Sequence, residues 1–310
     1  YFEPLGSKFK IQTEYSFDIG NTNQIKETVD FNPTTGQYDL VNNTFSNSFD
    51  NVKTQHRAGA QLWYESKKYT IHGGIRIRNI VLENINRVTD NVIYQNFTNV
   101  LPVFQFRYNP NRSTRLTVNY NTNSRQPSIS DLQPVPDNTN PNRVKTGNSN
   151  LKPDYSHQVN ANFNTWNALS GRYIYAGTWA NLTQNAFGDS VAVSAIGQQT
   201  VKRVNVKNAA NLIMWLGAGI PMLSRKLTLS PNLSGNIFQN TSYLNNQQNI
   251  STNISFGPSM NVNYRTDSLE IEISGTWSYN KPTNTLSNFT TRPYSSQQYF
   301  ASFTWRLKHG

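Results

Sequence analysis

The chain has 310 residues, 36% of them hydrophobic, a mean hydropathy of -0.63 and a formal net charge of +11. It contains no cysteine, which excludes a disulfide framework, thiolate catalysis and cysteine-ligated metal. No run of about 18 apolar residues exists, so no transmembrane helix is expected. The basic residues are scattered singly along strand-like segments and turns, without the dense stripe that would point to nucleic acid.

Alternation of apolar and polar residues, the signature of a half-buried strand, can be followed along the chain. In the first predicted strand Phe9, Ile11, Tyr15, Phe17 and Ile19 share one parity, and Lys8, Lys10, Gln12, Glu14 and Asp18 share the other. The second sets Ala58, Ala60, Leu62 and Tyr64 opposite Arg57 and Gln61. After the turn Glu65-Ser66-Lys67, Tyr69, Ile71, Ile75 and Ile77 alternate with Thr70, His72, Arg76 and Arg78. Phe104, Phe106 and Tyr108 are joined to Leu116, Val118 and Tyr120 across Asn109-Pro110-Asn111, a strong turn signal.

The second half repeats the scheme. Val159, Ala161 and Phe163 alternate with Gln158, Asn160, Asn162 and Asn164, and a turn follows at Asn167 to Gly171. Tyr173, Tyr175, Gly177 and Trp179 are taken as the apolar parity of the next strand. Val204, Val206, Ala210, Leu212 and Met214 then lead to a turn around Pro221, so Ala209 to Leu223 reads as a strand end and turn. Leu227, Leu229 and Leu233 lead out, and Phe256, Met260, Val262 and Tyr264 lead back. The turn Arg265-Thr266-Asp267 precedes Leu269, Ile271, Ile273, Trp277 and Tyr279. Tyr299, Ala301, Phe303, Trp305 and Leu307 close the series.

A soluble sandwich would alternate in the same way, so two further features carry the choice. The connections alternate: short turns follow Tyr64, Tyr108, Trp166 and Tyr264. Long polar segments are expected over Asn21 to Asn51, Ile80 to Val100, Asn123 to Asp154 and Asn280 to Ser295. Outer-membrane barrels put short turns on the periplasmic side and long loops outside. Aromatics also gather at the short turns, at Tyr64, Tyr69, Tyr108, Tyr173, Tyr264 and Trp305, as an interfacial girdle would. Trp166 breaks the parity of its strand and would need a bulge to join them. A barrel needs apolar residues only at alternate positions, which agrees with the low hydropathy. The expectation is an all-β, antiparallel transmembrane β-barrel over residues 1–310 with about 12 strands.

The segment from Arg125 to His157 reads Arg-Gln-Pro-Ser-Ile-Ser-Asp-Leu-Gln-Pro, then Asn140-Pro141-Asn142, then Gly147-Asn148-Ser149-Asn150-Leu151-Lys152-Pro153-Asp154. It resembles the strand, long loop and "GNP-x-LKPE" return of TonB-dependent receptors, with Ser149 where Pro is usual and Asp154 in place of Glu. Gly147 frees the backbone, and Pro153 keeps Leu151 and Lys152 extended. Tyr1-Phe2-Glu3-Pro4-Leu5-Gly6 is similar to the family's lead-in to a barrel strand. Phe303-Thr304-Trp305-Arg306 resembles its aromatic last strand, with Lys308-His309-Gly310 extending beyond the usual aromatic end.

The resemblance implies a barrel of about 22 strands in the cell outer membrane, of which this chain would be the C-terminal half. Its partners would be outer-membrane lipid and lipopolysaccharide, the protein's own N-terminal plug domain, an energy-coupling protein of the inner membrane and a surface lipoprotein. The implied function is import of a scarce nutrient: a siderophore, a glycan or a peptide. The opening residues carry neither an initiator Met nor a signal peptide, so a processed start or a longer parent protein is expected. A complete barrel near twelve strands is the other possibility.

No residue is assigned to catalysis, to a cofactor or to a metal, and none to ligand binding. Glu270 and Glu272 share a strand face, as do Glu14 and Asp18. Paired carboxylates could do acid–base work or hold calcium, but a polar lumen with Lys or Arg partners is the reading adopted. His56, His72, His157 and His309 lack metal-ligand spacing and read as polar-face residues. Tyr94, Phe97, Tyr243, Phe289 and Tyr294 are aromatics of the predicted loops, without an assigned role. No phosphate loop, nucleophile elbow or zincin helix occurs, and the chain is not expected to be an enzyme. Two other functions remain open: a non-transporting outer-membrane barrel serving as scaffold or secretion component, and a soluble β-sandwich binding carbohydrate.

Overall fold

The computed structural model describes residues 1–42, 46–87, 90, 92–133, 136–137, 139–286 and 291–306. Among them the chain forms β1 (Phe2–Pro4), β2 (Phe9–Lys26), β3 (Val29–Asn32), β4 (Gln37–Val41), β5 (Asn47–Glu65), β6 (Tyr69–Asn86), β7 (Val92–Asn111) and β8 (Thr114–Asn123). A one-turn helix α1 (Ile129–Leu132) and β9 (Arg143–Thr146) follow. Then come β10 (Tyr155–Trp166), β11 (Tyr173–Val193), β12 (Gln199–Met222), β13 (Leu227–Leu244), β14 (Gln247–Arg265), β15 (Leu269–Asn284) and β16 (Tyr294–Trp305).

The elements make one 14-stranded sheet in the order β1-β2-β5-β6-β7-β8-β10-β11-β12-β13-β14-β15-β16, with β9 alongside β12. The ladder is antiparallel between successive strands, while β9 pairs β12 in parallel. Twelve of the strands are ten residues or longer, which matches the expected number. The second sheet is only the hairpin β3–β4. Among the described residues no large sheet faces the first, so Ile71, Phe106, Val118 and Ile271 are not enclosed between layers, and the sandwich reading is excluded. No described helix is long and apolar enough to cross a membrane.

Register carries the apolar parity from strand to strand. Ile11 lies opposite Leu62, Leu62 opposite Gly73 and Gly73 opposite Phe104; Phe104 lies opposite Tyr120, and Tyr120 opposite Val159. On the other side, Leu216 lies opposite Leu233, Val262 opposite Ile273 and Ile273 opposite Ala301. The face so assembled is bare of protein: Ile75 is 52% exposed, Ile273 54% and Phe303 63%. Leaving so many large apolar groups uncovered is costly in water and favourable in hydrocarbon.

The short turns fall near their expected places, at 66–68, 167–172, 223–226 and 266–268. Gly171 takes a φ of +71° that its turn requires. The turn after Tyr108 runs on through a register shift, so pairing resumes only at Asn111 and Thr114.

On the opposite side the expected long loops are largely strand, except for Asn123 to Asp154, which carries only α1 and β9. β6 continues to Asn86 and β7 begins at Val92, and β2, β5, β15 and β16 likewise run into the segments read as loops. Two outer connections are short: 194–198 joins β11 to β12, and Asn245 and Asn246, at φ 49° and 64°, join β13 to β14. Beyond the hydrocarbon both faces of a strand meet water, so the alternation disappears while the backbone ladder persists. Leu307 and Lys308-His309-Gly310 lie outside the described residues.

Candidate functional site: the polar face and the segment laid across it

The other parity of the sheet is polar, and its charge is unevenly distributed. On β2 and its neighbours, Lys10 Nζ lies 2.8 Å from Glu65 and Arg76 Nε lies 2.7 Å from Glu14. Glu14 and Arg76 belong to strands two apart and meet across Gly59, where a Cβ would crowd both side chains at 3.0–3.2 Å. Gln55 donates to Asp18 at 3.1 Å. On β15, Glu270 accepts from Arg306 at 2.8 Å and Glu272 from Asn261 at 2.7 Å. The four carboxylates singled out in the sequence are therefore spent on wall contacts, each worth about 0–1 kcal/mol where exposed.

From β10 to β14 this face is neutral over 156–166, 173–183, 209–221, 228–238 and 253–263. Asn160, Asn162 and Asn164 continue into Asn181, Asn211, Asn232 and Asn236 across the register. Aromatic rings fill the remaining space by lying over glycines. A Cβ on Gly219 would collide with Tyr173, one on Gly217 with Tyr175, and one on Gly177 with Trp215. This corrects the parity read for β11: Trp166 pairs with Tyr173 and Asn160 with Trp179, so Tyr173, Tyr175, Gly177 and Trp179 face the polar side. Ile174, Ala176, Ala180 and Leu182 face the apolar side. Trp166 also belongs to the polar side, in an unbroken ladder without a bulge, and Tyr173 is not part of the girdle.

The segment from Ser124 to Asp154 folds back over the outer part of the polar face. Arg78, 7% exposed, donates to the Ser124 carbonyl and to Asn123 Oδ1. At the segment's base the 3%-exposed Asp154 accepts from the Arg125 N–H at 2.9 Å and from its guanidinium at 2.9 and 3.1 Å. A carboxylate is needed here because a neutral side chain would leave those donors without charge-assisted partners. Asp suffices in the place of Glu because the two backbones already touch, Asp154 N–H donating to Arg125 O at 3.0 Å.

The family-like residues are seated in order. Gly147 packs so closely on Gln133 that a Cβ would collide with its backbone. Asn148 donates to Arg203 O at 3.0 Å, and Gln95 donates to the carbonyls of Ser149 and Leu151 at 3.0 and 3.3 Å. Lys152 N–H donates to Asn205 Oδ1 at 2.8 Å. Leu132 and Leu151 are fully buried, as are Phe49 and Ile80 of the sheet's outer part, and Leu101 and Val103, lower on the polar face, are buried too. Two cavities flank the segment. One, about 420 Å³, is lined by Gly20, Thr22, Asn51, Leu82, Arg125 and Leu132. The other, about 300 Å³, is charged, with Asp131, Arg143, Lys145, Asp189 and Arg203 on its walls.

The histidines divide. His72 lies on the polar face as expected, its ring stacked on Trp63 with centroids 3.8 Å apart. His56 and His157 instead share the apolar parity, contrary to their reading as polar-face residues. Each shares a hydrogen bond with a tyrosine hydroxyl, Tyr15 at 3.0 Å and Tyr120 at 2.9 Å. Both lie nine residues from the turn-side end of their strands. They form an outer belt with Phe17, Tyr155, Phe256 and Trp277, facing the belt of Tyr64, Tyr69, Tyr108 and Tyr264. His309 lies outside the described residues. No group of three or more His, Cys, Asp or Glu capable of holding a metal occurs among those described.

The aromatics assigned to loops stand on strands: Tyr94 and Phe97 on β7, Tyr243 on β13 and Tyr294 on β16. Phe289 lies outside the described residues. The sequence reading missed Arg57, Arg76, Arg78 and Arg107 as a group, although parity alone places all four on the polar face.

Residues 1–306 match the family described as outer membrane protein beta-barrel family. No curated protein matches the chain by sequence. Among solved structures, the chain is similar to the FrpB iron transporter from Neisseria meningitidis, with a TM-score of 0.55 and 12% identity, over 98% of this chain and 46% of that one. It is similar to the copper transporter OprC with a TM-score of 0.53 and 13% identity, over 87% of this chain and 48% of that one. The chain thus spans just under half the length of either.

Proposed function

Because this chain belongs to the outer membrane protein beta-barrel family and resides in the outer membrane, we propose that it is barrel wall of a TonB-dependent receptor importing a scarce nutrient. The cargo classes are a siderophore, a glycan or a peptide. The observation that carries the reading is the segment Ser124 to Asp154, pinned across the polar face by Arg78 at Ser124, by Arg125 at Asp154 and by Gln95 at Ser149 and Leu151. An anchored inward fold narrows the space beside the polar face, which suits an importer that admits one class of solute. The iron and copper named for the two similar transporters add metal-bearing solutes to the cargo worth assaying.

In this reading the chain is the C-terminal half of a barrel of about 22 strands. The outer edges of β1–β2 and of β16, which do not pair with each other, then continue into further strands of the same wall. Open edges in hydrocarbon would leave backbone donors and acceptors unsatisfied at several kcal/mol each (order of magnitude). A plug domain would occupy the lumen, and an inner-membrane protein would deliver the energy for transport.

The test is uptake of labelled ferric siderophores, oligosaccharides and peptides by cells with and without the gene. Loss of one class, restored by complementation and abolished by a protonophore, is the expected outcome. Unchanged uptake of every class would turn the assignment toward a scaffold or secretion barrel.

A further inference from the structure

The short turns of the sheet carry a charge that their surroundings do not cancel. The five connections 5–8, 66–68, 112–113, 167–172 and 223–226 hold Lys8, Lys67, Lys68, Arg112, Arg172, Arg225 and Lys226, and not one carboxylate. All seven residues are exposed. Arg225 donates to the carbonyls of Ala168 and Leu169, which ties one turn to the next. None of the seven has a carboxylate partner among the described residues. The carboxylates nearby are engaged elsewhere: Glu65 holds Lys10, Glu3 accepts from Tyr1, and Glu270 holds Arg306 with Arg265 3.9 Å away. Asp267 stands in the sixth turn, between β14 and β15. The outer connections differ. Those at 194–198 and 245–246 hold no charge, and in the Ser124–Asp154 segment Asp131, Asp137 and Asp154 accompany Arg125, Arg143, Lys145 and Lys152.

Three of the basic turns also repeat one amphipathic pattern. Leu5 precedes Lys8, Leu169 precedes Arg172 and Leu223 precedes Lys226, each by three residues. These leucines are bare: Leu169 is 91% exposed, and Leu5 and Leu223 are more than half exposed. Leu169 and Arg172 share a hollow of about 460 Å³ with Thr114, Trp166 and Ile174. Ile174 belongs to the apolar parity, so the hollow adjoins the face that meets hydrocarbon.

We infer that this collar of turns is a docking surface for anionic phospholipid of the periplasmic leaflet, the phosphate on the cations and an acyl chain on the leucines. Any barrel touches lipid; these turns add a choice of headgroup. Three arguments fix the occupant. The charge selects an anion. The turns begin just past the girdle of Tyr64, Tyr69, Tyr108 and Tyr264, which is the level of the headgroups. A soluble anion would satisfy the cations but leave the leucines in water, where apolar surface is unfavourable. The inference rests on the short turns facing the periplasmic leaflet, not on import.

The test is native mass spectrometry of the complete protein, released from detergent after equilibration with equimolar phosphatidylglycerol and phosphatidylcholine of matched chains. The unaltered protein should retain phosphatidylglycerol in preference. Equal retention of the two would overturn the inference before any variant is made. Lys67→Gln, Lys68→Gln, Arg112→Gln and Arg172→Gln combined should cut the preference at least about fivefold, the worth of one cation at an anionic surface. Removing outer cations instead, by Lys207→Gln, Lys281→Gln and Arg292→Gln, should leave it as it was. Leu169→Ser with Leu223→Ser should lower phosphatidylglycerol retention while every charge stays in place. A preference that survives the turn variant, falls equally in the outer one or ignores the leucines would overturn the inference. So would its loss to equimolar glycerol 3-phosphate, which would make the turns a small-anion site.

Discussion

Ile75→Arg is the substitution that best separates lipid from water on the apolar face. Ile75 stands six residues from Tyr69 on β6, flanked by Ala60 and Pro102, and is 52% exposed. Six residues at about 3.3 Å each, tilted by about 40°, place it roughly 15 Å from the turn-side girdle. In an apolar band about 25 Å tall that is near the midplane, where an arginine costs about 2–4 kcal/mol. The folding equilibrium should fall by a factor of roughly 30 to 700, at about 1.4 kcal/mol per tenfold change. Asn121→Arg puts the same charge at similar height on the polar face and should cost no more than about 0.5 kcal/mol. Urea titrations of the complete protein in zwitterionic lipid vesicles, followed by tryptophan emission, measure both. Equal midpoints for the two variants would refute the claim that this face meets hydrocarbon.

Asp154→Ala should free the base of the anchored segment at a cost of about 1–3 kcal/mol, because the Arg125 donors lose a buried acceptor. Amide hydrogen exchange should quicken over 125–154 and leave β13 to β15 unchanged. Gly147→Ala forces a methyl onto the Gln133 backbone and should cost about 1–3 kcal/mol of local stability. Faster tryptic cleavage at Arg143 or Lys145 would report it, and an unchanged rate would count against the packing described. Gly217→Val should displace the Tyr175 ring from its seat and lower the thermal midpoint, whereas Gly20→Val, with open space around it, should do neither.

The strands and their apolar face were legible because one physical demand, hydrocarbon on alternate residues, is written locally in each strand. Ile71, Ile75 and Ile77 announce themselves without reference to any partner. The face of β11 was not legible for the opposite reason. Tyr173 and Tyr175, with apolar rings and polar tips, suit either face, and only the glycines of β12, some forty residues away, show which rings have a place to lie. His56 and His157 were misjudged because a tyrosine hydroxyl contributed by a neighbouring strand makes each tolerable on the apolar side. The Gly147 to Asp154 turn was recognisable as a motif, but its seating on Gln133, Gln95 and Arg203 depends on contacts remote in sequence.

β12 is 24 residues long, about 80 Å of strand, of which a bilayer needs less than half. The surplus stands off the cell surface as a stiff spar, hydrogen-bonded to β11 as far as Val193 and Gln199. Its outer end at Gln199–Lys202 is spliced in parallel to β9, which leads directly into Gly147. A load gripping the tip at Gly197 therefore has a taut line to the folded-in segment, and a sideways tug outside the cell arrives there as a pull.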